Sequence, residues 1–344
     1  MSSAEIIKTS HLKKLKAEWD YLYEGGKNIW HYSFLQTYEC AMIMLKSYYW
    51  HPKRWHYSPT FFYIKTKRGG VIFPLAINHK KKEINSIFCF SPIDYYDFIT
   101  DIEDANFLKS LLLECLADYS EYTITLNHFE EWSSVYHIFK GTFLCTKEIC
   151  VQINLPSKTY EDYYQSLSKH QRQNIRTAYN KLEKKGIKYH IEEYNASNSV
   201  SPTIAKKCQI MYEERCDRKN SYLNFRKLRT IWRRKSNFVN DLVLSASKRH
   251  MFILFFHKIP VAFTGGYDDD NSHVYYVPRL STNEKYLEYS AGIILVNEIV
   301  KILINNKFSV LDLTRGTEPY KYAMGGEEHF AFNIKCKVNR LNKQ

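Results

Sequence analysis

Residues 290–305 read SAGIILVNEIVKILIN and residues 309–326 read SVLDLTRGTEPYKYAMGG. Val296, Ile299, Val300 and Leu303 recur at helical spacing, so the first stretch forms a helix whose apolar side packs on a sheet. Ser290 stands at its N-cap position, and Ala291 with Gly292 leaves small, approachable backbone N–H groups in the first turn. Such a terminus suits phosphate, because unpaired N–H donors and the positive end of the helix dipole converge there. Residues 309–313 then form a short strand, and the loop around its end carries Asp312, Arg315, Glu318, Tyr320 and Lys321 among glycines. Charge at this density beside a buried strand marks a candidate site, since sites concentrate on loops held by a rigid scaffold. A surface turn with a local ion pair is the plainer alternative.

Working outward, residues 250–257, 261–267 and 272–278 are short, β-branched and aromatic runs separated by turn signals, so they pair as a meander. The run Asp268-Asp269-Asp270 lacks the alternating ligands and distal glutamate of a calcium loop and reads as a solvated turn. A polar loop is expected over 279–289. Helices are expected over 203–219 and over 225–235, the second basic around Trp232, Arg233, Arg234 and Lys235. Residues 160–185 read as one long helix stopped by Gly186, with Ile175, Tyr179 and Leu182 as its apolar stripe. Lys169, Arg172 and Arg176 share an adjacent face, which is a solvated basic face on the plainer reading.

The strand at 151–155, closed by Pro156-Ser157, places a domain boundary and gives domains of 1–156 and 157–344. In the first, helices are expected over 11–25, 33–47 and 105–119, and strands over 60–66, 70–77, 87–90 and 122–126. It is a mixed α/β unit, with a hairpin turn at Arg68-Gly69-Gly70.

A chain of 344 residues exceeds the usual single domain of roughly 100–200 residues, in line with two cores. There is no basic and apolar leader and no apolar run of about 18 residues, so a cytoplasmic location is expected. The eight cysteines form no CxxC pair and sit among apolar neighbours, which argues against a disulfide framework or a zinc site. A net charge of +13 favours partners bearing phosphate or carboxylate without selecting among nucleic acid, acyl-CoA, nucleotide-sugars and anionic lipid.

Residues 172–186, Tyr289-Ser290-Ala291-Gly292, and Asp312, Gly316, Tyr320 and Lys321 at their spacing fall in the order seen in CelD-like acetyltransferases. The chain is similar to that type of the GNAT superfamily, and more distantly resembles the Fem-type peptidyl ligases. Two positions depart from the pattern: Ala291 where the family usually has proline, and Thr314 where it often has glycine. The resemblance implies an α+β fold of tandem GNAT-like domains, each a twisted, mixed and largely antiparallel sheet flanked by helices, the first one degenerate. It also implies an acyl thioester lying between splayed strands at 273–278 and 310–313, with pantetheine amides on exposed backbone such as that of Val277. The pyrophosphate would meet Ser290, Ala291 and Gly292.

On that resemblance acyl-CoA, in the first place acetyl-CoA, is a co-substrate, and neither a metal nor a permanently bound cofactor is required. Tyr320 protonates the departing thiolate, while Asp312 or Glu318 accepts the proton of the amine. Lys321 and Arg315, with Lys169, Arg172 and Arg176, would hold an anionic part of a substrate. Each assignment has a structural rival: Tyr320 can fill the core beside Pro319, and Asp312 can cap the turn that follows it. The expected acceptor is an amine, with an amino-sugar or an envelope or polysaccharide precursor as the leading choice. Two alternatives keep the fold: a Fem-type ligase drawing on aminoacyl-tRNA, and a non-catalytic basic binding module.

Overall fold

The computed structural model describes residues 5–50, 55–87, 94–141, 145–155, 159–219, 246–269 and 271–341, without the side chains of 47–50 and 216–219. The helix expected over 225–235, the end of the strand expected over 87–90, Pro156-Ser157, Asp270 and the side chains of Cys89 and Cys216 lie outside the described residues. The described residues form two compact units, one comprising those up to Glu148 and from Phe330 onward, the other those of 149–329.

In the first unit, β1 (Glu5–Thr9), β2 (Ser58–Thr66), β3 (Gly69–Asn78) and β4 (Glu83–Ser86) form an antiparallel meander. The two-residue strand β5 (Ile99–Thr100) also pairs with β3. Flanked on both edges, β3 is buried along nearly its whole length, so it reads VIFPLAI rather than alternating. At the β2–β3 turn Gly69 has φ +122, and a Cβ there would lie 2.5 Å from Asp101 Oδ1, so only glycine fits. Helices α1 (Lys16–Gly26), α2 (Tyr38–Trp50) and α3 (Ala105–Cys115) belong to this unit, with α3 leading into β6 (Thr123–Phe129), which runs parallel to β4. After β6 comes the short α4 (Ser134–Phe139). All three expected helices are shorter than read: α1 and α2 begin after 3-10 turns at Leu12–Leu15 and Phe34–Gln36, and α3 gives way to another at Ala117–Tyr119.

The second unit contains β7 (Thr146–Asn154), helices α5 (Tyr160–Ser166), α6 (Lys169–Lys184) and α7 (Pro202–Lys219), and strands β8 (Tyr189–Tyr194), β9 (Arg249–Phe256), β10 (Ile259–Asp269) and β11 (Val274–Thr282). The four strands β8 to β11 form an antiparallel meander. Helix α8 (Ala291–Asn305) crosses over to β12 (Val310–Arg315), which is parallel to β11 as such a helical crossover allows. β7 pairs antiparallel with the far edge of β12. After β12 come α9 (Pro319–Ala323) and β13 (Glu327–Lys337), and β13 pairs with β6. Each unit is thus a four-strand meander, a crossover helix, a parallel fifth strand and an antiparallel sixth, the sixth strand of the first unit coming from the end of the chain.

Val296, Ile299, Val300 and Leu303 of α8 are fully buried against Tyr275, Leu311 and Ile153, as their spacing predicts. Three readings need correction. The single helix expected over 160–185 is two, because Leu167 is extended and Ser168 opens a new capping box with Gln171. The loop expected over 279–289 continues β11 to Thr282 and then forms a 3-10 helix at Glu284–Tyr289. Ser290 precedes α8 but is left-handed, with φ 55, and makes no side-chain cap bond. Among the described residues no helix is long and apolar enough to cross a membrane.

Candidate active site

The site begins where two neighbouring strands part. β11 and β12 pair at Val274 with Val310, Tyr275 with Leu311 and Tyr276 with Asp312. Beyond that point β11 stays with β10 as far as Thr282, while β12 stays with β7 to Arg315 opposite Cys150. A local irregularity accompanies the parting: Thr314 has φ 55, and the β12–β7 register shifts between Asp312 and Arg315. Asp312 holds this kink, its Oδ1 accepting from Thr314 N–H at 2.6 Å, and Thr314 Oγ1 lies 3.4 Å from the Val277 carbonyl. Backbone of β11 past Tyr276 therefore loses its ladder partner on one side.

A cleft of about 590 Å³ is lined by the end of β11 (Leu280, Ser281 and Thr282), the start of α8 (Ser290, Ala291, Gly292 and Ile293) and Leu287. Its other wall is Glu318, Pro319 and Tyr320, with Arg215 of α7. At the α8 start, the Ser290 carbonyl takes the N–H groups of Ile293 and Ile294, and those of Ala291 and Gly292 are the ones a helix leaves unpaired. A Cβ on Gly292 would meet only Thr282 Cγ2, at 3.4 Å, so the backbone there is open to a ligand. Beside it the fully buried Ser281 Oγ has no hydrogen-bond partner among the described residues. The corresponding crossover helix of the first unit is closed instead. Asp104 Oδ1 occupies the start of α3, accepting from the N–H groups of Asn106 and Phe107 at 3.0 and 3.1 Å.

Tyr320 is half-buried on the cleft wall. Burial first, and then the Glu318 carboxylate, push its hydroxyl well above the usual phenol range, so it stays a protonated donor at neutral pH. Glu318 Oε1 lies 3.3 Å from Arg215 Nη2, and Oε2 lies 3.3 Å from Lys321 Nζ. Gly316 permits this arrangement, since a Cβ on it would fall 2.6 Å from Glu318 Oε2.

Lys321 is 2% exposed, and its ammonium donates to the carbonyls of Thr314, Arg315 and Gly316 at 3.0, 2.9 and 3.0 Å. Those three bonds use every N–H it has, so it organises the loop from within. Asp312 is buried under the kink, with His329 Nε2 at 3.6 Å, and does not line the cleft. Arg315 and Val277 likewise are not among the residues that line it. Of the basic face of α6, Arg172 donates to the carbonyls of Gln165 and Leu167, closing the end of α5, while Lys169 and Arg176 are exposed. None of the three lines the cleft. The structure therefore brings Ser290, Ala291, Gly292, Glu318 and Tyr320 together. It adds Arg215, which in sequence is one charge among Glu213, Glu214 and Arg215 and looks like a solvated helix face.

Residues 169–322 match the family model described as an acetyltransferase (GNAT) domain. No curated protein matches the chain. Solved structures resemble it over their whole length. A conserved protein of unknown function from Bacteroides thetaiotaomicron VPI-5482 is 14% identical with a TM-score of 0.58, over 97% of this chain and 100% of that one. FemX is 8% identical with a TM-score of 0.54, over 99% and 100%. A tandem GNAT protein from the clavulanic acid biosynthesis pathway is 9% identical with a TM-score of 0.51, over 98% and 99%. At these identities the likeness concerns the fold alone. The mixed sheets with their crossover helices are GNAT-like in fold, and residues 169–322, which include every described residue lining the cleft, match the acetyltransferase (GNAT) family model.

Proposed function

We propose that the chain is an N-acyltransferase that moves an acyl group from acyl-CoA, in the first place acetyl-CoA, to an amine. The observation that carries this reading is the convergence, in one cleft, of an uncapped helix start, the parted edge of β11 and a protonated tyrosine. The pyrophosphate lies on the N–H groups of Ala291 and Gly292, with Ser290 and the Ser281 hydroxyl beside them. The pantetheine arm takes backbone bonds along β11 after Tyr276, Val277 among them. The amine lone pair attacks the thioester carbonyl, the tetrahedral intermediate expels the thiolate, and Tyr320 gives that sulfur its proton. Glu318, the carboxylate on the cleft wall, accepts the proton of the amine directly or through water. Asp312, Arg315 and Lys321 hold the loop in shape. The first unit is a degenerate partner, since Asp104 fills its helix start with a carboxylate.

The proposed acceptor is an amino-sugar or an envelope or polysaccharide precursor, on the strength of the resemblance to CelD-like enzymes. The exposed Lys169 and Arg176 can draw an anionic acceptor toward this unit. Donor binding is the direct test. Acyl-CoA at about 100 times its dissociation constant adds roughly 2.7 kcal/mol to stability. Gly292→Asp, whose Cβ meets only Thr282 Cγ2 at 3.4 Å, removes most of that gain by setting a carboxylate against the pyrophosphate. A broad acyl-CoA panel that neither raises the melting temperature nor gives heat in calorimetry refutes the donor. An aminoacyl-tRNA ester, the Fem-type donor, would then be the one to titrate.

A further inference from the structure

Among the described residues, helix α7 reaches the cleft through one side chain, that of Arg215. Arg215 Nη1 donates to the Leu280 carbonyl on β11, and Nη2 donates to Glu318 Oε1 at 3.3 Å on the loop that follows β12. One planar guanidinium therefore ties together the two elements that have parted. Both side chains are part-exposed, Arg215 at 25% and Glu318 at 29%, so the pair stands at the cleft surface rather than in the core. Glu318 is also the N-cap residue of α9, two residues before Tyr320, so whatever fixes Glu318 fixes the start of the helix that carries the tyrosine.

Resting on the acyl-transfer reading, we infer that Arg215 is a positioning residue: it sets the aim and the ionisation of Glu318 and the separation between the two walls. Among the described residues, the charged and titratable groups facing Glu318 include Arg215 from α7 and Lys321 and Tyr320 from α9. Lys321 is committed to three carbonyls, so Arg215 is the cation whose removal changes Glu318 without dismantling the loop. A guanidinium beside a carboxylate favours its charged form, and its planar fork can make both bonds at once, which a lysine ammonium cannot do in the same geometry.

The test follows thiol release from acetyl-CoA with glucosamine as the probe amine, across pH, for the wild type, Arg215→Ala, Arg215→Lys and Arg215→Gln. Acetyl-CoA binding is measured by calorimetry in each. Arg215→Ala is expected to keep donor affinity within about threefold, lower kcat by at least about tenfold, and move the acid limb of kcat/KM upward by about one pH unit. Added guanidinium ion, at concentrations below those that unfold the protein, restores part of kcat. Arg215→Lys keeps the acid limb near its wild-type position while kcat stays low, because charge is retained and the two-point bridge is lost. An acid limb unmoved in Arg215→Ala overturns the inference, as does full additivity of Arg215→Gln with Glu318→Gln in a double-mutant cycle. That cycle serves in place of the alanine variant should it not fold. Loss of acetyl-CoA binding in the wild type would instead count against the acyl-CoA donor itself, so the two failures are distinguishable.

Discussion

Replacing Lys321 with methionine separates two roles that its sequence position leaves open. The side chain is 2% exposed, and methionine keeps most of its apolar length while deleting the ammonium. Three carbonyls, those of Thr314, Arg315 and Gly316, lose their donor, and Glu318 loses an ion-pair partner at 3.3 Å. Each hydrogen bond to a charged group contributes roughly 1.5–3 kcal/mol. Burying an ammonium opposes part of that sum, and burial does depress the Lys321 pKa. The expected net loss is about 3–5 kcal/mol, the range for breaking a buried charge pair from one side. For a unit of this size it lowers the melting temperature by roughly 6–20 °C. Urea titration followed by circular dichroism measures it directly. A substrate-binding lysine predicts the reverse pattern, with stability kept and KM raised. A loss below about 1 kcal/mol at unchanged m-value would refute the loop-organising role.

Tyr320→Phe keeps the ring in place and removes the proposed acid, so kcat is expected to fall roughly 10²–10⁴-fold with donor affinity unchanged, read by single-turnover kinetics. Wild-type rates with chemistry rate-limiting would leave a bound water as the acid. A second test concerns His250, buried on β9 between Asp268 on β10 (2.8 Å) and Glu193 on β8 (3.0 Å). Burial opposes its charge, but the two carboxylates outweigh it and hold the imidazole up at about 9, against an ordinary 6.5. A raised folded pKa means the stabilisation is complete below about 6.5 and is lost as pH rises through about 9. That gap corresponds to about 3 kcal/mol. His250→Gln should therefore cost most at or below pH 6.5 and progressively less toward pH 9.5 in urea titrations, and a pH-independent difference would refute it.

The local devices of this chain could be read from its residues, because they depend on near neighbours. The apolar spacing of Val296, Ile299, Val300 and Leu303 gives the crossover helix, and alternating aromatic and β-branched runs between turn signals give the meander β9 to β11. The small residues Ala291 and Gly292 announce an approachable helix start. Tertiary structure decided how these parts are used. The break of residues 160–185 into two helices is the exception and is local, because Ser168 and Gln171 form a capping box and Arg172 closes the preceding turn. Lys321 and Glu318 look alike as charges in a polar loop, yet one is buried under three carbonyls and the other stands on the cleft wall. Arg215, about 100 residues before the loop it grips, carries no local signature at all. Side-chain chemistry and short-range periodicity are properties of a sequence window. Which carbonyl or carboxylate a cation meets is set by long-range strand register and helix docking, which no window contains.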